Sequence, residues 1–112
     1  MKYILLSFAL LLLIGCGRSR REQGSIIFEQ AHIVARQVVE GRVVGRPAFD
    51  DGEIQIWLSE DLSLIRKFCG EEEIGGRENE LVAEINVRGK RAYLTVGNRL
   101  QFTDEPFERK RK

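Results

Sequence analysis

Hydrophobic and polar residues alternate along much of the second half of the chain. The alternation covers residues 53–59, 62–69 and 81–88, and shorter runs recur at residues 94–96 and 100–102. Because successive side chains of a strand point to opposite faces of a sheet, this pattern predicts strands with one buried and one solvated face. The prediction places six side chains in the core and three on the surface: Ile56, Leu58, Ile85, Val87, Leu94 and Val96 buried, Glu84, Asn86 and Arg88 exposed.

The pattern before residue 50 fits two interpretations. Apolar residues recur at helical spacing over residues 25–38, and Ser25 could cap the start of a helix. The β-branched Val-Val pairs at the end of this stretch favour a strand instead. We predict one or two helical turns, followed by a strand from about Ile33 or Arg36 to Gly45.

Turn signals separate the alternating runs. Residues 50–52 (Asp-Asp-Gly) and 88–90 (Arg-Gly-Lys) are typical of hairpins, and residues 60–61 (Glu-Asp) form a short polar turn. Residues 70–80 contain five Glu and three Gly around a single apolar residue, and they predict a long acidic loop. The chain is therefore expected to form five strands, with a long connection between the third and the fourth.

This order of elements matches a five-stranded Greek-key barrel of the OB type, in which Gly41 and Gly45 would supply sharp curvature. Residues 39–45 followed by 53–58 resemble the first two strands of OB domains, and residues 87–90 resemble their fourth-strand turn. The sequence is most similar to the small exported OB modules of the tRNA-anticodon-like class. The resemblance implies a mainly β fold, to which the helical turns predicted within residues 25–38 would add a short N-terminal helix. The chain departs from nucleic-acid-binding members because it lacks a basic face studded with aromatic residues.

The chain begins with a short positive region and an uncharged apolar run. Lys2 precedes an apolar stretch over residues 3–14, which is too short for a hydrocarbon core that needs roughly 20 helical residues. A run of this length behind a lysine is typical of a secretory signal. Its end, Leu-Ile-Gly-Cys at residues 13–16, resembles the lipobox of bacterial lipoproteins. That resemblance implies cleavage after Gly15 and acylation, with palmitate among the attached chains, at Cys16.

The same resemblance divides the chain and gives it an address in the cell envelope. Residues 1–15 are expected to be the signal peptide, 16–24 the lipidated cysteine with an Arg-rich tether, 25–105 the barrel domain and 106–112 a basic tail. In enterobacterial lipoproteins, an Asp directly after the lipidated cysteine resembles a signal for retention in the inner membrane. This chain has Gly17 at that position. In a host with two membranes the protein is therefore expected on the outer membrane, facing the periplasm. In a host with one membrane it would lie on the outer face of the cell membrane.

Charge is distributed unevenly along the chain. The net charge is +1, yet residues 22–108 hold ten Lys or Arg against seventeen Asp or Glu, a balance of −7. An acidic body opposes nucleic-acid binding, which depends on neutralising phosphates. The basic segments at residues 18–21 and 109–112 suit an anionic lipid surface. The alternative is that they are merely solvated.

Motifs for catalysis or metal binding are absent from the sequence. His32 is the only histidine, and no nucleophile elbow, phosphate loop, dinucleotide fingerprint or Cys-x-x-Cys pair occurs. The acidic clusters lack the spacing of a calcium loop. If Cys16 is acylated, Cys69 has no disulfide partner, and it is expected to be a small buried side chain. We expect no cofactor, no metal and no enzymatic activity.

A candidate binding face centres on Trp57. Alternation turns this side chain away from the core-facing Ile56 and Leu58, and Lys67 and Arg88 are its expected neighbours. The alternative is that Trp57 packs beneath residues 25–38 in a second small core. A binding face of this kind fits an envelope protein or a glycan better than nucleic acid.

The first hypothesis is therefore a lipid-anchored, noncatalytic binding or accessory domain. Two other function classes stay open. An envelope hydrolase or inhibitor-type effector with a dispersed site would show a deep pocket of clustered titratable groups. An OB module that binds an oligonucleotide or oligosaccharide would show a basic, aromatic concave face.

The anchor makes a direct prediction. Cys16→Ala should leave an uncut precursor without lipid, because the thiol that accepts diacylglycerol is gone. Metabolic labelling with a fatty-acid probe checks this, and Cys69→Ala is the matched control that should label like the wild type. Equal labelling of the wild type and Cys16→Ala would contradict the assignment.

Overall fold

The computed structural model describes residues 18–108, which form two helices and one antiparallel sheet of five strands. Three strand pairs are joined by short hairpin turns, and a helix with a long loop connects the second strand to the third. The elements in chain order are α1 (Arg20–Val39), β1 (Phe49–Asp50), β2 (Ile54–Leu58), α2 (Leu62–Phe68), β3 (Leu81–Val87), β4 (Lys90–Thr95) and β5 (Leu100–Pro106).

Each strand of the sheet lies beside its neighbours in sequence, in the order β1-β2-β3-β4-β5. The register pairs Ile56 with Ile85, and Ile85 with Ala92, across the three central strands. Their side chains therefore share one face, which we call the inner face. The opposite, outer face carries the row of Trp57, Glu84 and Tyr93.

Helix α1 is longer than the sequence predicts. The side chain of Ser19 caps it by accepting a hydrogen bond from the backbone N–H of Glu22 at 3.2 Å, so Ser25 lies inside the helix and is not its cap. The helix continues to Val39, and the strand expected from Ile33 or Arg36 to Gly45 is not formed. The reason is tertiary. A helical stripe buries its apolar side chains against the inner face, which outweighs the β preference of the valine pairs. The stripe consists of Ile27, Ala31, Val34 and Ala35.

Residues 62–68 form helix α2, although their alternation predicts a strand. The carboxylate of Asp61 caps the helix by accepting hydrogen bonds from the backbone N–H groups of Ser63 and Leu64, at 3.0 and 3.4 Å. Its C-terminal end is followed by Gly70, which adopts φ +81°. The buried residues follow a helical period and not a period of two. They are Leu64, Ile65 and Phe68.

The core lies between the two helices and the inner face of the sheet. Its fully buried members include Ile27 from α1, and Ile54 and Leu94 from the sheet. Of the six side chains predicted to be buried, five are buried and Leu58 is half-buried against the core. Arg88 is exposed as expected, whereas Glu84 and Asn86 are half-buried on the outer face.

The prediction of a mainly β domain with five strands and an N-terminal helix is confirmed, and the arrangement is consistent with an OB-like fold. Two of the strands differ from those expected, because α1 and α2 take the place of the first and third. The strand order is also sequential and not Greek-key, since each tight turn sets a strand beside its predecessor. Within residues 18–108 no pairing joins β1 to β5.

The domain boundaries also shift. Residues 20–24, expected in a tether, belong to α1, and Gly24 is buried. At the other end, Phe107 packs on the sheet, so residues 106–108 are part of the domain and not of a tail. The signal peptide, Cys16 and the basic residues 109–112 lie outside the described residues.

The inner face is the structural centre of the protein, so truncating it should be severe. Ile85 is 0% exposed and contacts both flanking strands. Ile85→Ala should lower the free energy of unfolding by about 2–5 kcal/mol because it removes buried methyl groups and leaves a cavity. Denaturant unfolding checks this, with the exposed Gln101→Ala as a control. An unchanged midpoint for Ile85→Ala would contradict the register.

Candidate functional site

The three residues predicted to share a binding face lie in different parts of the fold. Trp57 is half-buried on the outer face of β2. Lys67 belongs to α2, where its Nζ lies 3.3 Å from Glu72 Oε1, and it is not on a strand. Arg88 lies in the turn between β3 and β4. It is close to the start of β2, because the preceding residue, Val87, pairs with Ile54. Of the three, only Trp57 belongs to the outer face proper.

The outer face around Trp57 is covered by an aromatic residue from beyond β5. The ring of Phe107 stacks on Trp57 with centroids 6.1 Å apart, and the guanidinium of Arg91 lies 5.5 Å from the Phe107 centroid. Arg91 also donates from Nη2 to the carbonyl oxygen of Glu108 at 2.8 Å. Trp57 therefore packs with the segment that follows β5, on the side of the sheet away from α1.

Hydrogen bonds between side chains fix the rest of the outer face. Gln55 donates to Asp50 Oδ2 at 3.1 Å and accepts from Asn86 Nδ2 at 3.0 Å, which links three strands. The hydroxyl of Tyr93 donates to Glu105 Oε2 at 3.1 Å. Such cross-strand pairs hold the surface in one shape.

A continuous depression runs past Trp57 at the end of β2, and we call it the Trp57 groove. Two adjoining cavities of about 370 and 270 Å³ share Arg46, Trp57, Leu58, Ser59 and Glu60. The second extends towards the helices and is lined by five further apolar side chains, Val38, Val44, Ala48, Leu62 and Ile65.

The groove continues across the outer face in the other direction. The 370 Å³ cavity also contacts Leu81, which lines a third cavity of about 310 Å³. The register shift in β3 between Leu81 and Ala83 allows Leu81 to face outward although it begins a strand with a buried face. The remaining lining residues of the third cavity are Asn79, Tyr93, Thr95, Arg99 and Gln101.

Exposed apolar side chains concentrate at this groove. Within residues 18–108 the large hydrophobic side chains classed as exposed are Ile33 (43%), Val43 (99%), Leu62 (41%) and Leu81 (38%). Leu62 and Leu81 line the groove, and Val43 adjoins its lining residue Val44. Clustered exposed apolar side chains are typical of an interaction surface, whereas isolated ones are ordinary.

Charges along the groove have both signs. Arg46 forms an ion pair with Glu60, and Glu84 Oε2 lies 3.9 Å from Arg91 Nε. Arg99 adds a further positive charge in the third cavity. A mixed lining of this kind does not select for a polyanion, which requires an excess of cations.

The residues with catalytic chemistry are engaged in structural contacts. His32 stacks on Phe68 with ring centroids 4.1 Å apart, and its Nε2 lies 3.1 Å from Asn98 Oδ1. It lies in α1 and not at the start of a strand. Ser59, in the groove, accepts a hydrogen bond from the backbone N–H of Asp61 at 3.1 Å.

Cys69 is half-buried beside the core at the end of α2. Burial raises the pKa of its thiol, which disfavours the reactive thiolate. Within residues 18–108, no group of three His, Cys, Asp or Glu side chains is arranged to hold a metal ion.

Arg18 joins the start of α1 to the β1–β2 turn. Its Nη1 lies 2.7 Å from Asp51 Oδ2 and 3.2 Å from Glu53 Oε2, while Asp51 Oδ1 accepts from the backbone N–H groups of Glu53 and Ile54. Burial raises the pKa of the Asp51 carboxyl, but the hydrogen bonds from Arg18 and the backbone outweigh it. The pKa therefore lies below its ordinary value, and the folded protein favours the carboxylate.

Sequence reasoning missed three residues that shape the groove. Arg46 and Leu81 were assigned no role in a site, and Phe107 fell within the expected tail. The sequence does contain a signal for Phe107, because it is a lone aromatic residue in a polar segment. Burying the large apolar surface of such a ring against the sheet is favourable. Nothing in the local pattern reports the outward turn of Leu81, because it depends on the register shift in β3.

No family model, curated protein or solved structure matches the chain. In the part of the chain that the structure describes, neither helix has the length and apolar character needed to cross a membrane. The function is therefore inferred from the geometry of the Trp57 groove.

The Arg18–Asp51 contact predicts a pH dependence of stability. Because the folded-state pKa of Asp51 is lowered, its contribution is fully present above the unfolded-state pKa of about 3.9 and is lost as pH falls through the folded-state value. Asp51→Asn should remove part of the acid-induced loss of unfolding free energy, since the amide oxygen can still accept the backbone hydrogen bonds.

Denaturant unfolding across the acid range checks the Asp51 prediction. The matched control is Asp104→Asn, whose side chain is 96% exposed, and it should keep the acid dependence of the wild type. The same acid dependence in the wild type and Asp51→Asn would show that the ion pair contributes nothing.

Proposed function

We propose that this protein is a membrane-anchored envelope lipoprotein whose domain is a noncatalytic binding module. The Trp57 groove is its contact surface, and its partner is another protein of the envelope. In a host with two membranes the proposed location is the outer membrane, facing the periplasm.

The proposed anchor is supported by the lipobox-like residues 13–16 and by the start of the folded domain. Arg18 already contacts Asp51 of the β1–β2 turn, and α1 begins at Arg20. Only Gly17 therefore separates Cys16 from the folded residues. Acylation at Cys16 would hold the domain directly against the bilayer and not at the end of a flexible tether.

The observation that carries the binding role is the concentration of exposed apolar side chains at the groove. Leu62 and Leu81 line the groove, and burying them against a partner would remove apolar surface from water at roughly 25 cal/mol per Å². Trp57 supplies an aromatic contact beside them, a residue type enriched at interface hot spots. Aliphatic and aromatic contacts together favour a protein segment over a glycan.

The mixed charges of the groove oppose the two other function classes. An oligonucleotide would meet Glu60 and Glu84 as well as Arg46 and Arg99. A hydrolase would need an activated nucleophile, yet Ser59 accepts from a backbone N–H and His32 is stacked on Phe68. These contacts support the proposal of a binding role.

Site-specific crosslinking of the lipidated protein in cells tests this role. A photoreactive amino acid at Glu60, in the groove, should give discrete protein adducts, whereas the same group at Glu29, exposed on α1, should not. Leu81→Asn should reduce the yield of adducts severalfold because it removes an apolar contact without disturbing the core.

The chain offers a matched control for Leu81→Asn. Ile33 has nearly the same exposure but lies on α1 outside the groove, so Ile33→Asn should leave the adducts unchanged. Equal adducts from positions 60 and 29, or equal losses with Leu81→Asn and Ile33→Asn, would refute the groove as the contact surface. Adducts to nucleic acid or glycan would refute the protein partner.

A further inference from the structure

Two segments leave the folded domain at the same end of the sheet. At the start of α1, Arg18 contacts the β1–β2 turn, and Gln23 Nε2 donates to Glu53 Oε1 at 3.1 Å. After β5, the backbone N–H of Phe107 donates to the carbonyl oxygen of Gly89 in the β3–β4 turn at 2.8 Å. We call this end the turn pole and define it as residues 18–23, 50–53, 88–90 and 106–108.

Cationic side chains gather around one cavity of the turn pole, which has a volume of about 280 Å³. No acidic side chain of the described residues lines it. Arg18 and Arg88 also line a neighbouring cavity, together with the carboxylates of Asp51 and Glu53. The lining residues of the cationic cavity are Arg18, Arg20, Gln23, Val87, Arg88 and Lys90.

Two of these cations have contacts that leave their charge accessible. The guanidinium of Arg20 lies 4.2 Å from the centroid of the Phe102 ring, a contact that does not neutralise it. Lys90 Nζ lies 3.5 Å from Asp104 Oδ1, and both side chains are mostly exposed. Exposed pairs of this kind are weak and exchange readily with an external anion.

We propose that the cationic cavity of the turn pole, lined by Arg18, Arg20, Arg88 and Lys90, is a docking surface for the anionic phospholipid headgroups of the membrane in which Cys16 is anchored. The inference rests on the proposed lipidation. Cys16 precedes Arg18 by two residues, and two residues of chain span at most about 7 Å. The turn pole would therefore lie within the range of the surface potential, since the screening length is about 10 Å at 0.1 M salt.

The sequence continues from the turn pole with a run of basic residues. Residues 109–112, all Lys or Arg, directly follow Glu108 of the turn pole. Basic residues close to a lipidated position add electrostatic attraction to anionic lipids to the hydrophobic anchoring by the acyl chains. Ser59 and Glu60 of the groove follow the end of β2, whereas the β1–β2 turn precedes its start, so docking of the turn pole would leave this part of the groove farther from the membrane.

Amine labelling of the mature, lipidated protein in vesicles tests the inference. The protein is reconstituted in phosphatidylcholine vesicles and in vesicles that also contain phosphatidylglycerol, and modified lysines are quantified by mass spectrometry. Lys90 should label severalfold more slowly in the anionic vesicles, and added salt should restore its labelling. Lys67, on α2, is the internal reference and should label equally in both.

Charge reversal supplies the matched variants. Arg20→Glu combined with Arg88→Glu should abolish the protection of Lys90. Arg66→Glu combined with Arg99→Glu changes the same charge away from the turn pole and should preserve the protection. Circular dichroism confirms that both variants are folded before they are compared.

Three outcomes would overturn the inference: equal labelling of Lys90 in both vesicles, equal protection in both variant pairs, or protection by inorganic phosphate in phosphatidylcholine vesicles. The last would assign the cavity to a soluble phosphate. Absence of the lipid anchor is detected separately by flotation, because a protein without lipid would not float with phosphatidylcholine vesicles.

Discussion

The structure depends on the burial of one apolar helical stripe against one face of the sheet. Ile27, Ala31 and Ala35 of α1 are completely removed from water, as are Ile56 and Ile85 beneath them. The two alanines are small, which allows the helix axis to approach the strands closely. Because a domain of this size has a small margin of stability, little else in the chain can compensate for losing this contact.

This packing also fixes which end of the sheet lies beside the start of α1. Helix α1 starts beside the β1–β2 turn, where Arg18 is bound by Asp51, and runs to the other end of the sheet, where His32 lies beside Asn98. The segment that would carry the lipid therefore leaves from the turn pole. The groove, which includes Ser59 and Leu81, opens towards the far end of the strands. The proposed anchor and the part of the groove formed by Ser59 and Leu81 therefore lie towards opposite ends of β2.

One part of the outer face is covered by other side chains, and another part is open. Phe107 closes one part of it by stacking on Trp57, and Arg91 closes over the same ring. The remaining part stays open as the Trp57 groove at the end of β2. Apolar side chains left at that opening, such as Leu81, remain available for a partner.

The local sequence predicted the structure correctly wherever a residue pattern is compatible with only one type of secondary structure. The alternation of residues 81–88 predicts β3, and Asp-Asp-Gly and Arg-Gly-Lys predict the hairpins, because turn geometry depends on a few adjacent residues. The lipobox-like residues 13–16 predict an anchor in the same local way. The fold class, strands β2 and β3 and most of the side chains predicted to be buried followed from these patterns.

Local sequence failed where two patterns competed. Residues 62–68 satisfy both a period of two and the helical spacing of Leu64, Ile65 and Phe68, although the Asp61 cap and Gly70 favoured the helix. In α1, the valine pairs predicted a strand, but a helix forms because it buries Ala31 and Ala35 against the inner face of the sheet. Long-range contacts decided both cases, because the free energy gained by burial exceeds the small differences in local propensity.

The candidate site belongs almost wholly to the tertiary structure. The sequence marked Trp57 correctly as an outer-face residue, because side-chain alternation along a strand is a local property. It could not place Lys67 on a helix, bring Phe107 onto Trp57 or join Arg46 to Leu81 along one groove. Those relations connect residues far apart in the chain, and they exist only once the helices have covered the inner face and left the outer one in solvent.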